Sequence, residues 1–114
     1  MKREFVEVEL FTKTWEALGL SDDELRELQD FLAENPTAGV MIRGSGGARK
    51  IRVAFPGKSK SESGRVIYVD FAICELTYLL MAYPKSKQGT LTDAQKKAIS
   101  ELISMIKKEV QRRG

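Results

Sequence analysis

Basic side chains are concentrated around a glycine-rich segment in the middle of the chain. The segment reads Gly44-Ser45-Gly46-Gly47-Ala48-Arg49-Lys50-Ile51-Arg52, and the next cations, Lys58, Lys60 and Arg65, are accompanied by only one acid, Glu62. Clustered Lys and Arg gain affinity for a polyanion because they release the counterions condensed on its phosphates. The chemistry that these residues predict is phosphate binding. A solvated basic hairpin is the alternative interpretation.

Charge is segregated along the chain, although the net charge is only +3. Residues 1–42 carry 4 basic and 10 acidic side chains, a net charge of −6, whereas residues 43–87 carry 9 basic and 3 acidic side chains, a net charge of +6. Residues 88–114 contribute a further +3. This segregation predicts a polyanionic partner for the middle of the chain.

The residue types that are missing restrict the chemistry further. The chain has no histidine and a single cysteine, Cys74. Histidine-based acid–base catalysis, Ser-His-Asp and Cys-His arrangements and most transition-metal sites are therefore excluded. Gly44–Gly47 lacks the spacing and the Gly-Lys-Ser/Thr ending of a phosphate loop. We predict neither a metal nor a cofactor, so any catalysis must use Lys, Arg, Tyr or carboxylates.

Length and composition are those of an ordinary globular protein. A chain of 114 residues with 42% hydrophobic content is expected to form one domain over residues 1–114. The longest apolar run lies near residues 76–83 and is too short to span a membrane, and the N-terminus lacks the apolar core of a signal peptide. Cys74 cannot form an internal disulfide and is expected to be a buried hydrophobe. These features predict a cytoplasmic protein.

The first half of the chain predicts one strand and two helices. Residues 5–10 alternate between apolar and charged side chains, which is typical of a strand. A short helix is predicted over residues 14–18. Ser21-Asp22-Asp23-Glu24 has the pattern of a capping box, which opens a second helix that must end before Pro36.

The second half predicts three strands and a terminal helix. Residues 50–55, 65–71 and 75–83 are the strands, and the last is nearly all apolar, as a central strand buried on both faces would be. Thr92-Asp93-Ala94-Gln95 forms a second capping box before a long amphipathic helix. We therefore expect an α+β domain with a mainly antiparallel sheet and helices on one side. The opposite side of the sheet would present Lys50, Arg52 and Tyr83.

At these residues the chain resembles the RelE/ParE superfamily of bacterial toxins, most closely its HigB/RelE-type members. The resemblance covers nearly the whole chain, and its most specific element is the glycine-basic segment from Gly44 to Arg52. Gly64-Arg65-Val66-Ile67-Tyr68 and Tyr83-Pro84-Lys85-Ser86-Lys87 reinforce it. It implies the RelE/ParE-like toxin fold and the toxin of a type II toxin–antitoxin system. Toxins of this family enter the ribosomal A site, cut messenger RNA and are neutralised by a cognate antitoxin encoded beside them.

The resemblance also assigns candidate catalytic residues. Lys50 and Arg52 correspond to the paired strand cations of the family, Arg65 to its strand arginine and Lys85 to the basic residue after the last strand. Two positions differ from the family. Ser86 stands where relatives often have arginine, and Leu91 lies near the expected place of a base-stacking tyrosine.

Residue chemistry suggests a role for each cation. Arginine does not normally exchange its proton, so Arg52 and Arg65 suit stabilisation of a phosphorane. Neighbouring cations disfavour the charged form of a lysine, which makes Lys50 the candidate base. Lys85 is a candidate acid or phosphate clamp. Tyr83 is a candidate for stacking on a base, and packing at the sheet edge is its alternative role.

The remaining cations are predicted to bind RNA without reacting, and they comprise Arg49, Lys58, Lys60 and Lys87. Arg52 or Arg65 could instead be an ordinary strand cation paired with Glu62 or Asp70. Two rival functions also stay open. One is a ParE-like poison of DNA gyrase, and the other is a non-catalytic RNA- or DNA-binding module.

Overall fold

Five strands form one sheet in the order β1-β5-β4-β3-β2. The structure is a computed structural model that describes residues 3–54, 63–85 and 91–113. The strands are β1 (Glu4–Glu7), β2 (Val40–Met41), β3 (Arg49–Ala54), β4 (Ser63–Phe71) and β5 (Leu76–Pro84). The helices are α1 (Glu9–Ala17), α2 (Asp22–Glu34) and α3 (Asp93–Arg113), and a single 3-10 turn over Ala72–Cys74 joins β4 to β5.

Both predicted capping boxes are confirmed. At the start of α2, the Ser21 N–H donates to the Glu24 carboxylate at 2.7 Å, and the Glu24 N–H donates to Ser21 Oγ at 3.4 Å. Before α3, the Thr92 N–H donates to Gln95 Oε1 at 2.9 Å and the Gln95 N–H donates to Thr92 Oγ1 at 3.1 Å. Each box satisfies amides that the first turn of a helix leaves without intrahelical partners.

The predicted α+β class and mainly antiparallel sheet are confirmed. β5 lies between β1, to which it is parallel, and β4, to which it is antiparallel, and most of its side chains are buried. Residues 76–83, which are nearly all apolar, thus belong to a central strand, as predicted. β3 and β2 continue the sheet with antiparallel pairing.

The position of the helices differs from the prediction, because they cover both faces of the sheet. Ile67 and Val69 of β4 belong to one apolar cluster, which also contains α3 side chains such as Ile103. Val66 and Tyr68 belong to a second cluster, which is built from α1 and α2. Since neighbouring side chains of a strand point to opposite faces, α3 covers one face of the sheet and α1 with α2 the other.

An irregularity in β5 sets the direction of the side chains at its far end. Ile67 pairs with Met81 but Tyr68 pairs with Leu79, so Leu80 is an extra residue in the ladder. Leu80 and Met81 consequently both contact the α3 cluster, as Tyr83 does, whereas Ala82 contacts the other cluster. Such a bulge re-aims the strand beyond it.

Three other expectations need correction. The first strand ends at Glu7 and α1 already begins at Glu9. At this point the edge of β5 stops pairing with β1 and begins to contact α1. The Val8 N–H donates to Leu79 O, and further along β5 the Ala82 N–H donates to Thr14 Oγ1 of α1 at 2.9 Å. The short strand β2 has no alternating pattern and was not predicted. Cys74 is exposed, since it lies in the 3-10 turn rather than in a strand.

Among the described residues, no helix is long and apolar enough to cross a bilayer.

Candidate phosphate-binding site

Strand register aligns the central cations in one row across the sheet. Arg52 of β3 lies directly opposite Arg65 of β4, and Arg65 lies directly opposite Tyr83 of β5. All three residues are on the α3 face, because Tyr83 belongs to the α3 cluster and paired residues share a face. Arg65 therefore shares a face with Ile67 and also with Arg52. The predicted placement of Lys50, Arg52 and Tyr83 on a side of the sheet without helices is therefore wrong, because α3 packs on this same face.

Arg65 is held in place by the end of its own strand. Its Nη1 donates to Ser63 Oγ and to Gly64 O, both at 3.1 Å, and its side chain is half-buried, whereas Arg52 is exposed. No ion pair joins either arginine to a carboxylate of the described residues. Directly opposed like charges repel one another in a sheet. The pair is thus a concentrated positive charge without an internal counter-ion in the described part of the chain.

The proposed pairing with Asp70 is contradicted by the structure. Asp70 accepts two hydrogen bonds from the Arg3 guanidinium at 2.7 Å, and one from Thr77 Oγ1 at 2.8 Å. Its carboxylate is therefore committed at the other end of β4. Glu62, the second acid considered as a partner, lies outside the described residues.

The two candidate lysines lie on either side of the arginine pair. Lys50 is half-buried and lies two residues before Arg52, opposite Ile67, so it shares the α3 face. Residues two apart in a strand are separated by about 6.6 Å. Lys85 is exposed just beyond β5, where its N–H donates to Ser63 O at 2.9 Å. Ser63 therefore anchors both Arg65 and the backbone of Lys85.

Tyr83 does not present a free ring. Only 6% of its surface is exposed, and the ring packs among the side chains of the α3 cluster. Its hydroxyl is buried and has no hydrogen-bond partner among the residues described. Burial raises the pKa of the Tyr83 phenol, and the nearby Arg65 charge opposes that rise. The packing interpretation is the one that this burial favours over base stacking.

Arg49 is separated from the other cations. It pairs with Tyr68 in the register and so lies on the α1/α2 face. Its Nη1 donates to Gly39 O at 2.8 Å and to Thr37 O at 3.3 Å, which ties the chain between α2 and β2 to β3. The same chain is held by Tyr68, whose hydroxyl accepts from the Gly39 N–H at 2.9 Å and donates to Pro36 O at 3.0 Å. These contacts give Arg49 a structural role.

The glycine-rich segment forms a turn that packs against α3. Gly44, Gly46 and Gly47 have φ values of 80°, 81° and 114°, a region that glycine adopts without strain. Ser45 closes the turn, since its Oγ donates to Ile42 O at 2.6 Å and accepts from the Ala48 N–H at 3.0 Å. A Cβ at Gly46 would lie 3.2 Å from Ser100 Oγ of α3. The turn therefore positions β3 relative to α3.

Of the remaining residues considered from the sequence, only some lie in the part of the chain that the structure describes. Lys58, Lys60, Ser86 and Lys87 lie outside the described residues. Leu91 is 7% exposed and belongs to the α3 cluster, so a stacking side chain at this position would be buried. In the ranges that the structure covers, no group of three or more His, Cys, Asp or Glu residues could hold a metal ion.

Sequence reasoning missed Ser63, which organises the site. It is 2% exposed although it carries a hydroxyl, because both its Oγ and its carbonyl oxygen have partners. The available signal was its position two residues before Arg65, which places both side chains on one face of a strand. That signal depends on knowing where β4 begins.

Comparison with known proteins identifies the fold. No family model matches the chain. A solved structure of Escherichia coli toxin RelE, a double arginine-to-alanine mutant in the free state, matches with a TM-score of 0.52 and 18% sequence identity. The match covers 78% of this chain and 90% of that one. The chain therefore has a RelE-like fold, as the sequence resemblance predicted.

Proposed function

We propose that this protein is the toxin of a type II toxin–antitoxin system and acts as a ribosome-dependent mRNA endonuclease that inhibits translation. The observation that carries the proposal is the arginine pair. Arg52 and Arg65 are directly opposed on one face, and neither has an ion-pair partner among the described residues. Likeness of the fold to a protein named as a toxin supports the same class.

The arginine pair suits the charge that develops during RNA cleavage. Attack of a 2′-hydroxyl oxygen on the neighbouring phosphorus forms a P–O bond and gives a phosphorane with excess negative charge. The guanidinium groups of Arg52 and Arg65 would stabilise this charge through hydrogen bonds. Arg65 is already oriented by Ser63 and Gly64, so little reorganisation is needed when the charge appears.

The lysines supply the proton transfers in this scheme. Lys50 would take the proton from the attacking 2′-hydroxyl group. Lys85 would give a proton to the 5′-oxygen as the P–O bond to it breaks, or would clamp the phosphate. The products are a 2′,3′-cyclic phosphate and a free 5′-hydroxyl, and the proposed steps use only side chains of the protein.

The ribosome has a specific physical task in the proposal. Tyr83 and Leu91 are both buried, so neither is available to hold a nucleobase by stacking. Messenger RNA held in the ribosomal A site would instead have its 2′-oxygen, phosphorus and leaving oxygen aligned by the ribosome. Such positioning can lower a barrier by about 7–11 kcal/mol. The proposal also includes a cognate antitoxin as partner and a cytoplasmic location. Lys58, Lys60 and Lys87 are further candidates for contact with RNA.

The test compares free RNA with a programmed ribosomal complex of the same RNA and maps the ends by primer extension. The wild type should cut the ribosome-bound message and leave the free RNA largely intact. Arg52→Ala and Arg65→Ala should each lower the cleavage rate by about 10²–10³-fold. Arg112→Ala, which removes an exposed cation at the end of α3, is the matched control and should cut normally.

Several outcomes would contradict the proposal. Equal cleavage of free and ribosome-bound RNA would refute ribosome dependence. Normal cleavage by both Arg52→Ala and Arg65→Ala at equal protein concentration would remove the arginine pair from the chemistry. Each variant is first checked for an unchanged circular dichroism spectrum, so that loss of activity is not mistaken for loss of fold.

The burial of Tyr83 and Leu91 favours a second candidate, in which the basic face binds nucleic acid without cutting it. No cleavage on the ribosome, together with salt-dependent RNA binding, would support that function. Inhibition of DNA supercoiling in the absence of RNA cleavage would instead support a gyrase poison.

A further inference from the structure

A pocket of about 610 Å³ lies at the end of the sheet that carries the 3-10 turn. Phe71 and Val110 belong to its lining, and both pack in the apolar cluster under α3. The Phe71 ring is also packed edge-on against Tyr78, with the ring centroids 5.8 Å apart. Small-molecule sites usually have volumes of about 300–1,000 Å³. The pocket therefore has an apolar floor that the core holds in place, and enough room for a small ligand.

The pocket is well separated from the arginine pair. Both Arg65 and Phe71 belong to β4, and the six residues from one to the other correspond to about 20 Å along the strand. A ligand bound beside Phe71 would therefore leave Arg52 and Arg65 accessible. The chemistry of this pocket can thus be considered without reference to the proposed nuclease site.

The mouth of the pocket is formed by the apolar 3-10 turn. Ile73 lines the pocket although its side chain is 100% exposed, and its neighbours Ala72 and Cys74 are exposed as well. A completely exposed isoleucine contributes no burial to the fold. Burial of this apolar surface by a ligand would be favourable, because it removes the side chain from water. The turn and the floor together therefore fit an apolar chain.

Positive charge borders the same pocket on α3. Gln111 lines the pocket, and Lys107 and Lys108 lie four and three residues before it, so they share its side of the helix. Both lysines are exposed, and neither has an ion-pair partner among the residues described. The carboxylate of Asp70, which also lines the pocket, is already paired with Arg3. An anionic group at this border would therefore meet two unpaired cations.

Two other occupants fit this surface less well. A second copy that presented the same face would bring its own Lys107 and Lys108 towards those of the first, and like charges repel one another. A membrane would be held chiefly by Ile73, which has much less apolar surface than a myristoyl chain. Since even a single myristoyl chain gives only marginal membrane binding, this contact would be weak. An apolar pocket with a cationic border instead matches a small molecule that has an apolar chain and an anionic head.

We propose that this pocket binds a free, single-chain amphiphile whose head group is a carboxylate, as in a medium-chain fatty acid. The acyl chain would lie on Phe71 and Val110, with Ile73 packed over it, and its burial would supply most of the affinity. The carboxylate would accept charge-assisted hydrogen bonds from the ammonium groups of Lys107 and Lys108. Binding at this site does not depend on the proposed nuclease activity.

The test uses the full chain and follows Cys74, its single cysteine, which lines the pocket and is exposed. Alkylation of the thiol by iodoacetamide, an uncharged reagent, should slow in a saturable way as decanoate is added below its critical micelle concentration. Isothermal titration calorimetry measures the affinity. Each CH₂ group added between octanoate and decanoate should strengthen binding about fourfold. Decyltrimethylammonium, which has the same chain and a cationic head, should bind about tenfold more weakly than decanoate or worse.

Matched variants assign the binding to the border and to the turn. The double substitution Lys107→Gln and Lys108→Gln should weaken decanoate binding about threefold to tenfold, whereas Lys97→Gln, in the first half of α3, should not. Ile73→Ala should weaken it about fivefold or more, whereas Met105→Ala, which removes a 68% exposed apolar side chain from α3, should not. All five side chains are exposed, so no substitution removes a core contact.

The proposal is overturned if decanoate leaves the alkylation rate of Cys74 unchanged, if the cationic amphiphile binds as tightly, or if the double lysine variant keeps the affinity of the wild type. Loss of binding in Arg52→Gln would also overturn it, because the carboxylate would then lie at the arginine pair.

Two further results would assign the surface to another occupant and so refute the proposal. One is binding to vesicles that contain an anionic phospholipid without binding to monomeric decanoate. The other is a dimer of the protein alone, seen in sedimentation, that Ile73→Ala abolishes. The presence or absence of RNA cleavage does not bear on any of these measurements, so the two proposals fail independently.

Discussion

The two ends of the sheet differ in the internal partners of their buried and half-buried polar groups. Near the 3-10 turn, Arg3 and Asp70 form an ion pair whose side chains are 3% and 7% exposed, and Thr77 donates a further hydrogen bond to the carboxylate. At the opposite end, Arg65 faces Arg52 on one side and the unpaired Tyr83 hydroxyl on the other. The polar groups of the first end have internal partners, whereas the second end has two arginines without a carboxylate partner and one phenol hydroxyl without a hydrogen-bond partner among the described residues.

We expect this difference to separate the polar residues that stabilise the fold from those that bind a ligand. The hydrogen bond to Asp70 raises the pKa of Arg3, so that guanidinium remains charged and matched. Opposed arginines cost stability, and a bound ligand with negative charge would offset that cost. We therefore expect substitutions at the first end to change mainly stability, and those at the second end to change mainly binding and activity.

The largest expected effect on stability is that of Asp70→Ala. It would leave the Arg3 guanidinium buried without a counter-charge, and breaking a buried ion pair in this way costs about 3–5 kcal/mol. Arg65→Ala removes one member of a repelling pair and should change the free energy of unfolding by less than about 1 kcal/mol. Urea denaturation followed by circular dichroism measures both.

The comparison between the two ends would fail if both variants lost similar stability. Arg3→Ala is the complementary control. It leaves the Asp70 carboxylate with its bond from Thr77 and should also be strongly destabilising. A double substitution of Arg3 and Asp70 by residues of similar volume should then cost less than the sum of the two single changes.

A smaller effect is expected from removing a single hydroxyl group at each of two tyrosines. Tyr68→Phe deletes the group that bridges Gly39 and Pro36, and leaves a buried N–H unpaired, so it should cost about 1–3 kcal/mol. Tyr83→Phe deletes a hydroxyl that has no partner in the described residues, and should raise stability by up to about 1 kcal/mol. Thermal and urea unfolding of the two variants should therefore move in opposite directions. A loss of stability in Tyr83→Phe would mean that its hydroxyl is hydrogen-bonded in solution.

The smallest expected effect is a change in alkaline pH dependence. Burial raises the pKa of both Tyr68 and Tyr83, so the folded protein keeps these phenols neutral where the unfolded chain, with an ordinary tyrosine pKa of about 10, ionises. Their contribution to stability is complete below pH ~10 and is lost as the pH rises through the raised folded values. Tyr83→Phe should lose stability less steeply than the wild type above pH ~10 in urea titrations. Parallel curves would show that Tyr83 titrates normally.

Most elements of the fold could be predicted from local sequence signals. Ser21 and Thr92 define the starts of α2 and α3 through side-chain hydrogen bonds within a few residues, and such signals need no tertiary information. The central position of β5 followed from its apolar composition on both faces. The early start of α1 could not be predicted, because it depends on Thr14 contacting Ala82, a residue far away in the sequence.

The candidate site was predictable in composition and less so in arrangement. Alternation along residues 50–55 correctly placed Lys50 and Arg52 on one face. It could not show that α3 packs on this same face, nor that Arg49 is used to hold the chain before β2. The burial of Tyr83 could not be predicted for a similar reason. In an apolar run, the sequence does not indicate whether the odd-numbered or the even-numbered side chains face α3.

The extra residue in β5 has a consequence for how the end of the strand can change. Before Leu80 the even-numbered side chains contact the α3 cluster, and after it Met81 and Tyr83 do so. β5 thus consists of two segments whose alternation of side chains is shifted by one residue. The first segment pairs with β1, and the second is hydrogen-bonded to Thr14 of α1. Deletion of the extra residue Leu80 would leave Leu79 and Ala82 on the α1/α2 face and Met81 and Tyr83 on the α3 face, because regular alternation would then join the two segments in phase. A change of one residue in the length of the chain can therefore be absorbed at this joint while Tyr83 stays opposite Arg65.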